Sequence, residues 1–168
     1  MKDTVIFYGS TTGNCENIAN KIAAELGVDA ANVLDASELT ADKLAENANI
    51  LLGSSTWGSG DLQDNWYDAV EVVKGSDLKG KTVAIFGVGD SSSFSTTYCD
   101  AMRALYDAAK AAGATIVGAV PTDGYTFDES TSVVDGKFVG LALDEDNESD
   151  KTDERIAAWV AEIKPELQ

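Results

Sequence analysis

A turn rich in hydroxyl side chains follows the first apolar run of the chain and leads directly into a helical pattern. Residues 9–13 of this turn are Gly-Ser-Thr-Thr-Gly, between a predicted strand over residues 4–8 and a predicted helix over residues 14–26. Amides at a helix N-terminus carry partial positive charge, and the hydroxyl groups can donate further hydrogen bonds to an anion. The turn contains no Lys or Arg, so it does not fit the triphosphate pattern G-x-x-x-x-G-K-[ST] and better fits one phosphate monoester. Taken alone, it fits an ordinary turn capped by Ser and Thr equally well.

Two further loops carry one large aromatic residue each among small residues. Trp57 lies in the loop over residues 55–63, and Phe94 lies in the loop over residues 87–98, which contains two glycines. The loops that follow parallel strands meet at the carboxyl edge of the sheet, where ligands bind. Either aromatic residue alone would more often be a packing residue, but three convergent loops favour a ligand site. A phosphate cradle with two aromatic plates fits a flat aromatic phosphoester.

Short apolar runs alternate with helical patterns along the whole chain. Its 168 residues are predicted to form one domain, an α/β fold whose parallel sheet is covered by helices on both sides. The predicted strands cover residues 4–8, 32–34, 50–54, 82–86 and 115–117, and the predicted helices cover residues 14–26, 41–46, 63–73, 98–112 and 152–163. Residues 121–137 separate residues 115–119 from a second apolar run over residues 138–143, which predicts an insertion into the last strand. The favoured interpretation of that insertion is a surface excursion without chemistry.

The composition excludes several classes of function. A net charge of -17 disfavours nucleic acids and anionic membranes as partners and favours basic protein surfaces, although acidity also serves solubility. The chain has no histidine, which excludes His-based hydrolytic triads and removes the commonest zinc ligand. Its two cysteines, Cys15 and Cys99, form no C-x-x-C pair and are too few for an iron–sulfur cluster, so we predict reduced thiols and no metal site. With no signal peptide or long apolar run, a cytoplasmic location is expected.

The loops, their order and the interrupted last strand together resemble the long-chain type of flavodoxin over nearly the whole chain. Residues 9–14 resemble the phosphate loop of that family, residues 56–60 the first flavin loop and residues 87–90 the second. Residues 124–127 and 138–146 resemble the long-chain insertion and the strand after it. The resemblance implies a flavodoxin-like three-layer sandwich with a five-stranded parallel sheet of order 2-1-3-4-5 and an insertion in the last strand. It also implies a monomeric, low-potential electron carrier that holds one non-covalent FMN and is not an enzyme.

The resemblance also assigns roles to individual residues of this chain. It implies that Trp57 and Phe94 enclose the flavin ring, and that the peptide joining Gly58 to Ser59 changes orientation when the flavin is reduced. Two positions depart from the family pattern, because Cys15 replaces a threonine and Phe94 replaces a tyrosine. Phosphate contacts are expected from the side chains of Ser10, Thr12 and Asn14 and from the amides of Thr11, Gly13 and Cys15. The remaining expected cofactor positions are Ser55, Thr56, Gly58, Ser59, Gly60, Gly89 and Asp90.

The family implies one-electron shuttling through the semiquinone/hydroquinone couple of FMN. Its expected partners are an NAD(P)H-dependent reductase as donor and a low-potential oxidoreductase as acceptor. Three alternatives stay open at this point. An FMN-dependent NAD(P)H or quinone reductase would need a nicotinamide pocket, for which the sequence shows no obvious basic site. A response-regulator receiver would need an Asp at the end of the third strand, where residues 53–55 are Gly-Ser-Ser, and a flavin-free adaptor domain is the non-redox alternative.

Overall fold

The structure is a computed structural model and describes residues 2–168. None of the helices in that range is long and apolar enough to cross a membrane. The strands are β1 (Thr4–Gly9), β2 (Val33–Asp35), β3 (Asn49–Trp57), β4 (Asp61–Leu62), β5 (Thr82–Val88), β6 (Thr115–Val117), β7 (Val120–Pro121), β8 (Val133–Val134), β9 (Lys137–Phe138) and β10 (Leu141–Leu143). The helices are α1 (Asn14–Leu26), α2 (Ala41–Glu46), α3 (Trp66–Gly75), α4 (Ala101–Ala111) and α5 (Thr152–Ile163), with 3-10 turns at Ala30–Asn32, Ala36–Glu38, Ser149–Lys151 and Lys164–Glu166.

The central sheet is parallel apart from β4, a two-residue strand antiparallel to the end of β3. From one edge the order is β2, β1, β3 and β5, and both β6 and β10 pair with the free side of β5. β6 lies beside Thr82 to Ala84, and β10 lies beside Phe86 to Val88. One edge position is thus shared in tandem by two short strands, which confirms the predicted strand order and the insertion in the last strand.

The strands are buried on both faces because helices cover both. Val5 and Phe7 point toward the cluster that contains residues of α3 and α4. Ile6, between them in sequence, belongs to the cluster that contains residues of α1 and α5. Side chains alternate in direction along a strand, so a run of apolar residues fills both layers.

The insertion is an ordered part of the structure rather than a bare loop. Strands β7, β9 and β8 form a small antiparallel sheet, and the Tyr125 and Phe127 rings pack around Phe138 with centroid distances of 4.9 and 5.2 Å. The Tyr125 hydroxyl donates to the Ala142 carbonyl at 2.9 Å. The insertion therefore adds its own aromatic layer to the core around β10.

Two helices begin later than their apolar patterns predict. Helix α3 begins at Trp66 rather than residue 63, because residues 63–65 form a turn in which the Gln63 carbonyl accepts the Trp66 amide at 2.9 Å. Helix α4 begins at Ala101 rather than residue 98, because Cys99 has φ 52°, which lies outside the right-handed helical region. Both turns lie next to the loops at the carboxyl edge of the sheet.

Candidate functional site

The loops after β1, β3 and β5 meet at the carboxyl edge of the sheet, as expected from the sequence. They enclose an open cavity of about 300 Å³. Its lining includes no Lys or Arg and consists of Thr12, Asn14, Ser55, Thr56, Trp57, Gly58, Val88, Gly89, Asp90, Phe94 and Asp146. Nine of these are residues predicted from the sequence, and Val88 and Asp146 are additional.

The first loop leaves the amino end of α1 without a side-chain cap. Gly13 occupies the N-cap position with φ 92°, and its amide donates to the Ser10 hydroxyl at 3.1 Å. The amides of the first helical turn have no partner inside the helix, so they are available to an anion. The Thr11 hydroxyl accepts a hydrogen bond from the buried Gln63 side chain at 3.0 Å, which ties this loop to the end of the second one.

The second loop presents Trp57 at the mouth of the cavity. Its side chain is 41% exposed, and the indole Nε1 donates to the Ser55 hydroxyl at 2.8 Å, which fixes the orientation of the ring. The loop closes as a hairpin, in which the Gly60 amide donates to the Trp57 carbonyl at 3.1 Å. A large aromatic face is therefore exposed to solvent on a hydrogen-bonded turn.

The third loop is organised around Asp90. Its Oδ1 accepts the Ser92 and Ser93 amides at 3.1 and 2.9 Å, and these bonds lower the pKa of the carboxyl group. The Phe94 amide donates to the Asp90 carbonyl at 2.9 Å, and the Phe94 ring is 50% exposed. Phe94 is thus a second aromatic plate on a short, hydrogen-bonded turn.

Acidic side chains after β10 complete the rim. Carboxylate oxygens of Asp90, Asp144 and Asp146 lie within 4.8 Å of one another. Asp144 is fully buried and accepts hydrogen bonds from the Ser91 amide and from Asn147. Burial, together with the charges of Asp90 and Asp144, raises the pKa of Asp146. The cavity therefore has a negative rim that disfavours additional negative charge.

Sequence reasoning gave no role to this acidic segment or to Gln63. The Asp-Glu-Asp-Asn run at residues 144–147 follows an apolar run directly, as the three predicted loops do. That position at the end of a fourth strand is the signal that would have placed it in the site. Gln63 carried no comparable signal, since its role depends on a contact with a loop distant in sequence.

The other predicted residues lie outside the cavity lining. Ser10, Thr11, Gly13, Ser59 and Gly60 lie in the same loops beside residues that line it. The Cys15 side chain is fully buried and packs in the cluster that contains Ile18 and Ile22. Burial raises the pKa of Cys15 to about 12, so the thiol is neutral. Its proposed share in anion binding is therefore confined to its backbone amide.

The chemistry of these groups can hold a flat aromatic phosphoester. Two exposed aromatic faces border the cavity. The amides at the start of α1 have no side-chain cap, so they can donate hydrogen bonds to a phosphate. The hydrogen-bond donors at this site are neutral amide and hydroxyl groups, and no Lys or Arg side chain lines the cavity. No side chain in the lining is arranged as a nucleophile with a base.

Comparisons with known proteins agree on one family. The family model described as flavodoxin matches residues 6–159. Flavodoxin 1 from Azotobacter vinelandii is 43% identical over 166 residues, covering 96% of this chain and 95% of the relative. Flavodoxin from Synechocystis sp. is 43% identical over 164 residues, covering 97% and 96%. The crystal structure of Fusobacterium nucleatum flavodoxin bound to flavin mononucleotide superposes with a TM-score of 0.92 at 31% identity and covers 100% of both chains.

Proposed function

The chain belongs to the flavodoxin family, and we propose from this that it carries electrons on one non-covalently bound FMN. The observation that carries the proposal is the cavity itself. It joins two exposed aromatic rings to the uncapped amino end of α1 and lies in a fold matched by an FMN-bound relative. FMN supplies reversible one-electron chemistry when bound.

The residues of the cavity divide this task among them. Trp57 and Phe94 would enclose the isoalloxazine ring from the two sides of the mouth. Thr12, Asn14 and the first amides of α1 would hold the phosphate. These assignments follow the donor set and the aromatic faces of this chain, and they require no cation.

The acidic rim tunes the site toward low potential. Asp90 and Asp146 line the cavity, the buried Asp144 lies within 4.8 Å of both, and the chain carries a net charge of -17. Adding an electron increases negative charge in a region that already repels it, so reduction becomes less favourable. A low-potential carrier is the expected result.

Binding of FMN is directly testable. The purified protein is expected to be yellow, and the apoprotein should bind one equivalent of FMN with quenching of flavin fluorescence. A colourless protein whose apo form leaves FMN fluorescence unchanged would overturn the proposal.

We propose further that the chain is a carrier rather than an enzyme. A reductase would need a site for a nicotinamide nucleotide, and no Lys or Arg lines the described cavity. Mixing the holoprotein with NADPH alone under argon should leave the flavin absorbance unchanged, whereas adding a flavodoxin reductase should bleach it. Bleaching by NADPH alone would support an FMN-dependent NAD(P)H or quinone reductase instead.

Basic redox proteins are the partners we propose, with an NAD(P)H-dependent reductase as donor and a low-potential oxidoreductase as acceptor. The support is the net charge of -17 and the acidic rim beside the exposed aromatic rings. Stopped-flow reduction by such a reductase should slow as salt rises. Rates independent of salt would contradict this proposal.

A cytoplasmic location is also proposed, because both cysteines are free and buried.

A further inference from the structure

We infer that Asp100 is a positioning residue for the cofactor site, through which the insertion holds the two aromatic loops in place. The inference rests on the proposed FMN binding. Asp100 does not line the cavity. It lies in the turn formed by Tyr98, Cys99, Asp100 and Ala101, which we call the 98–101 turn, immediately before and at the start of α4.

The insertion is tied to the 98–101 turn by hydrogen bonds from three consecutive residues. The Thr131 amide donates to Asp100 Oδ1 at 2.8 Å. The hydroxyl groups of Ser130 and Ser132 donate to the carbonyls of Tyr98 and Cys99 at 2.6 and 2.7 Å. The Thr131 carbonyl in turn accepts Arg103 Nη1 at 2.9 Å. These bonds hold the insertion to the 98–101 turn at several points.

The same turn packs against the loop that carries Trp57. Gly60 has φ 99°, and a Cβ at this position would lie 2.8 Å from both Cβ and Oδ2 of Asp100. The Asp100 side chain therefore rests directly on the Gly60 backbone. Beside this contact, the Ala101 amide donates to the Thr56 hydroxyl at 3.3 Å. A shift of Asp100 would move the loop on which it rests.

The loop that carries Phe94 is held from the same insertion. The Ser95 carbonyl accepts the Asp128 and Glu129 amides, each at 2.9 Å, and the Ser95 hydroxyl donates to Asp128 Oδ2 at 2.7 Å. The Tyr98 amide donates to the Glu129 carbonyl at 3.3 Å. The aromatic plates are 41% and 50% exposed, so little packing of their own restrains them.

Backbone strain at Cys99 explains why the turn needs outside support. Its φ of 52° is unfavourable for a residue with a side chain, and such conformations persist where the surroundings determine them. The hydrogen bonds from Ser130 and Ser132 to the carbonyls of Tyr98 and Cys99 stabilise this conformation. Without the insertion, the 98–101 turn could relax and release Gly60.

The test compares Asp100→Ala with Asp100→Asn and with Asp123→Ala as a matched control. Asp123 lies in the insertion and is exposed, and the hydrogen bonds found in the described residues involve none of its side-chain atoms. Asp100→Ala removes the acceptor for Thr131 and the carboxylate part of the contact with Gly60, and it keeps only Cβ there. Asp100→Asn keeps the size and one acceptor oxygen.

FMN release is the first readout. Asp100→Ala should increase the FMN dissociation rate about tenfold, the effect of losing one hydrogen bond to a charged group. Asp100→Asn and Asp123→Ala should stay within about threefold of wild type. An unchanged rate in Asp100→Ala, or an equal increase in Asp100→Asn, would overturn the inference.

Hydrogen exchange of the apoprotein is the second readout and does not depend on FMN. Peptides covering residues 56–62 and 91–98 should exchange faster in Asp100→Ala, while peptides from α1 and α5 keep wild-type rates. Uniformly faster exchange would show a general loss of stability and would overturn the positioning role. If wild-type protein fails to bind FMN, the proposed function fails, whereas the exchange pattern still decides whether Asp100 links the insertion to the loops.

Discussion

Raising the pH above 9 is expected to destabilise this protein through one thiol, Cys15. The side chain is fully buried beneath the first loop, and burial raises its pKa from an ordinary value of 9.0 to about 12. A backbone hydrogen bond from Gly9 opposes the increase but is the smaller effect. The native state therefore keeps its proton at a pH where the unfolded chain has lost it.

The size of the effect follows from the two pKa values. The stabilisation from the neutral thiol is complete below the unfolded pKa and is lost as pH rises toward the native pKa. Between pH 9 and pH 12 each unit removes about 1.4 kcal/mol from the free energy of unfolding. The loss reaches about 1.4 kcal/mol at pH 10, a measurable part of the stability of a typical domain.

Urea unfolding of wild-type and Cys15→Ala apoprotein at pH 7, 8, 9 and 10 measures the loss of unfolding free energy that is due to Cys15. The other titrating groups, Cys99 included, are present in both proteins, so their contributions cancel in the difference. Wild type should lose about 1.4 kcal/mol more than Cys15→Ala between pH 7 and 10. Parallel pH profiles would refute the reasoning.

In the same protein at pH 8, a thiol-specific disulfide reagent should react about a thousandfold more slowly with native Cys15 than with the unfolded chain.

Three further predictions concern the cavity and the insertion. Trp57→Ala should weaken FMN binding about ten- to hundredfold in fluorescence titrations because one stacking face is lost, whereas Phe94→Tyr should bind like wild type. Gly58→Ala is expected to add a conformational cost of about 1 kcal/mol to the orientation that the 58–59 peptide takes up on reduction, and so to lower the first one-electron potential by about 40 mV in spectroelectrochemical titration. An unchanged first potential would contradict it. Arg155 stacks 4.0 Å above the Tyr125 ring and donates to the Gly124 carbonyl, so Arg155→Lys should lower the free energy of unfolding by about 1 to 2 kcal/mol in urea titration. Equal midpoints for the two proteins would show that the stacking adds nothing.

Much of the fold was predictable because local patterns and the core agree. Helices α1, α2 and α5 and strand β6 have the predicted bounds, since their apolar periodicity or runs coincide with their buried positions. The starts of α3 and α4 were predicted too early. The apolar spacing of α3 extends back to Leu62 and that of α4 back to Tyr98, so it does not mark where either helix begins. The contacts that bury Gln63 and support the positive φ of Cys99 involve residues distant in sequence.

The candidate site was predictable at the level of loops and less so at the level of side chains. Trp57 and Phe94 lie at the cavity mouth because strand polarity alone brings their loops together. The direction of the Cys15 side chain could not be read from the sequence, because a residue in the first turn of a helix can face the ligand or the core. The internal structure of the insertion was missed as well. The Asp-Gly pair at residues 135–136, which joins β8 to β9, is the signal that would have predicted its hairpin. The packing of Phe127 and Phe138 on Tyr98 carried no such signal, because it joins residues distant in sequence.

The tandem arrangement of β6 and β10 has an evolutionary consequence. Val117 lies opposite Ala84 and Leu141 opposite Phe86, so only Ile85 separates the partners of the two strands. Gly140, whose Cβ position would fall against the Ile85 carbonyl, stands at the junction. A gene lacking the codons for residues 118–139 would join Val117 to Gly140 and still encode one uninterrupted edge strand in the original register. Ancestral chains could thus have gained or lost this module in a single event, without reassigning which residues face the helices.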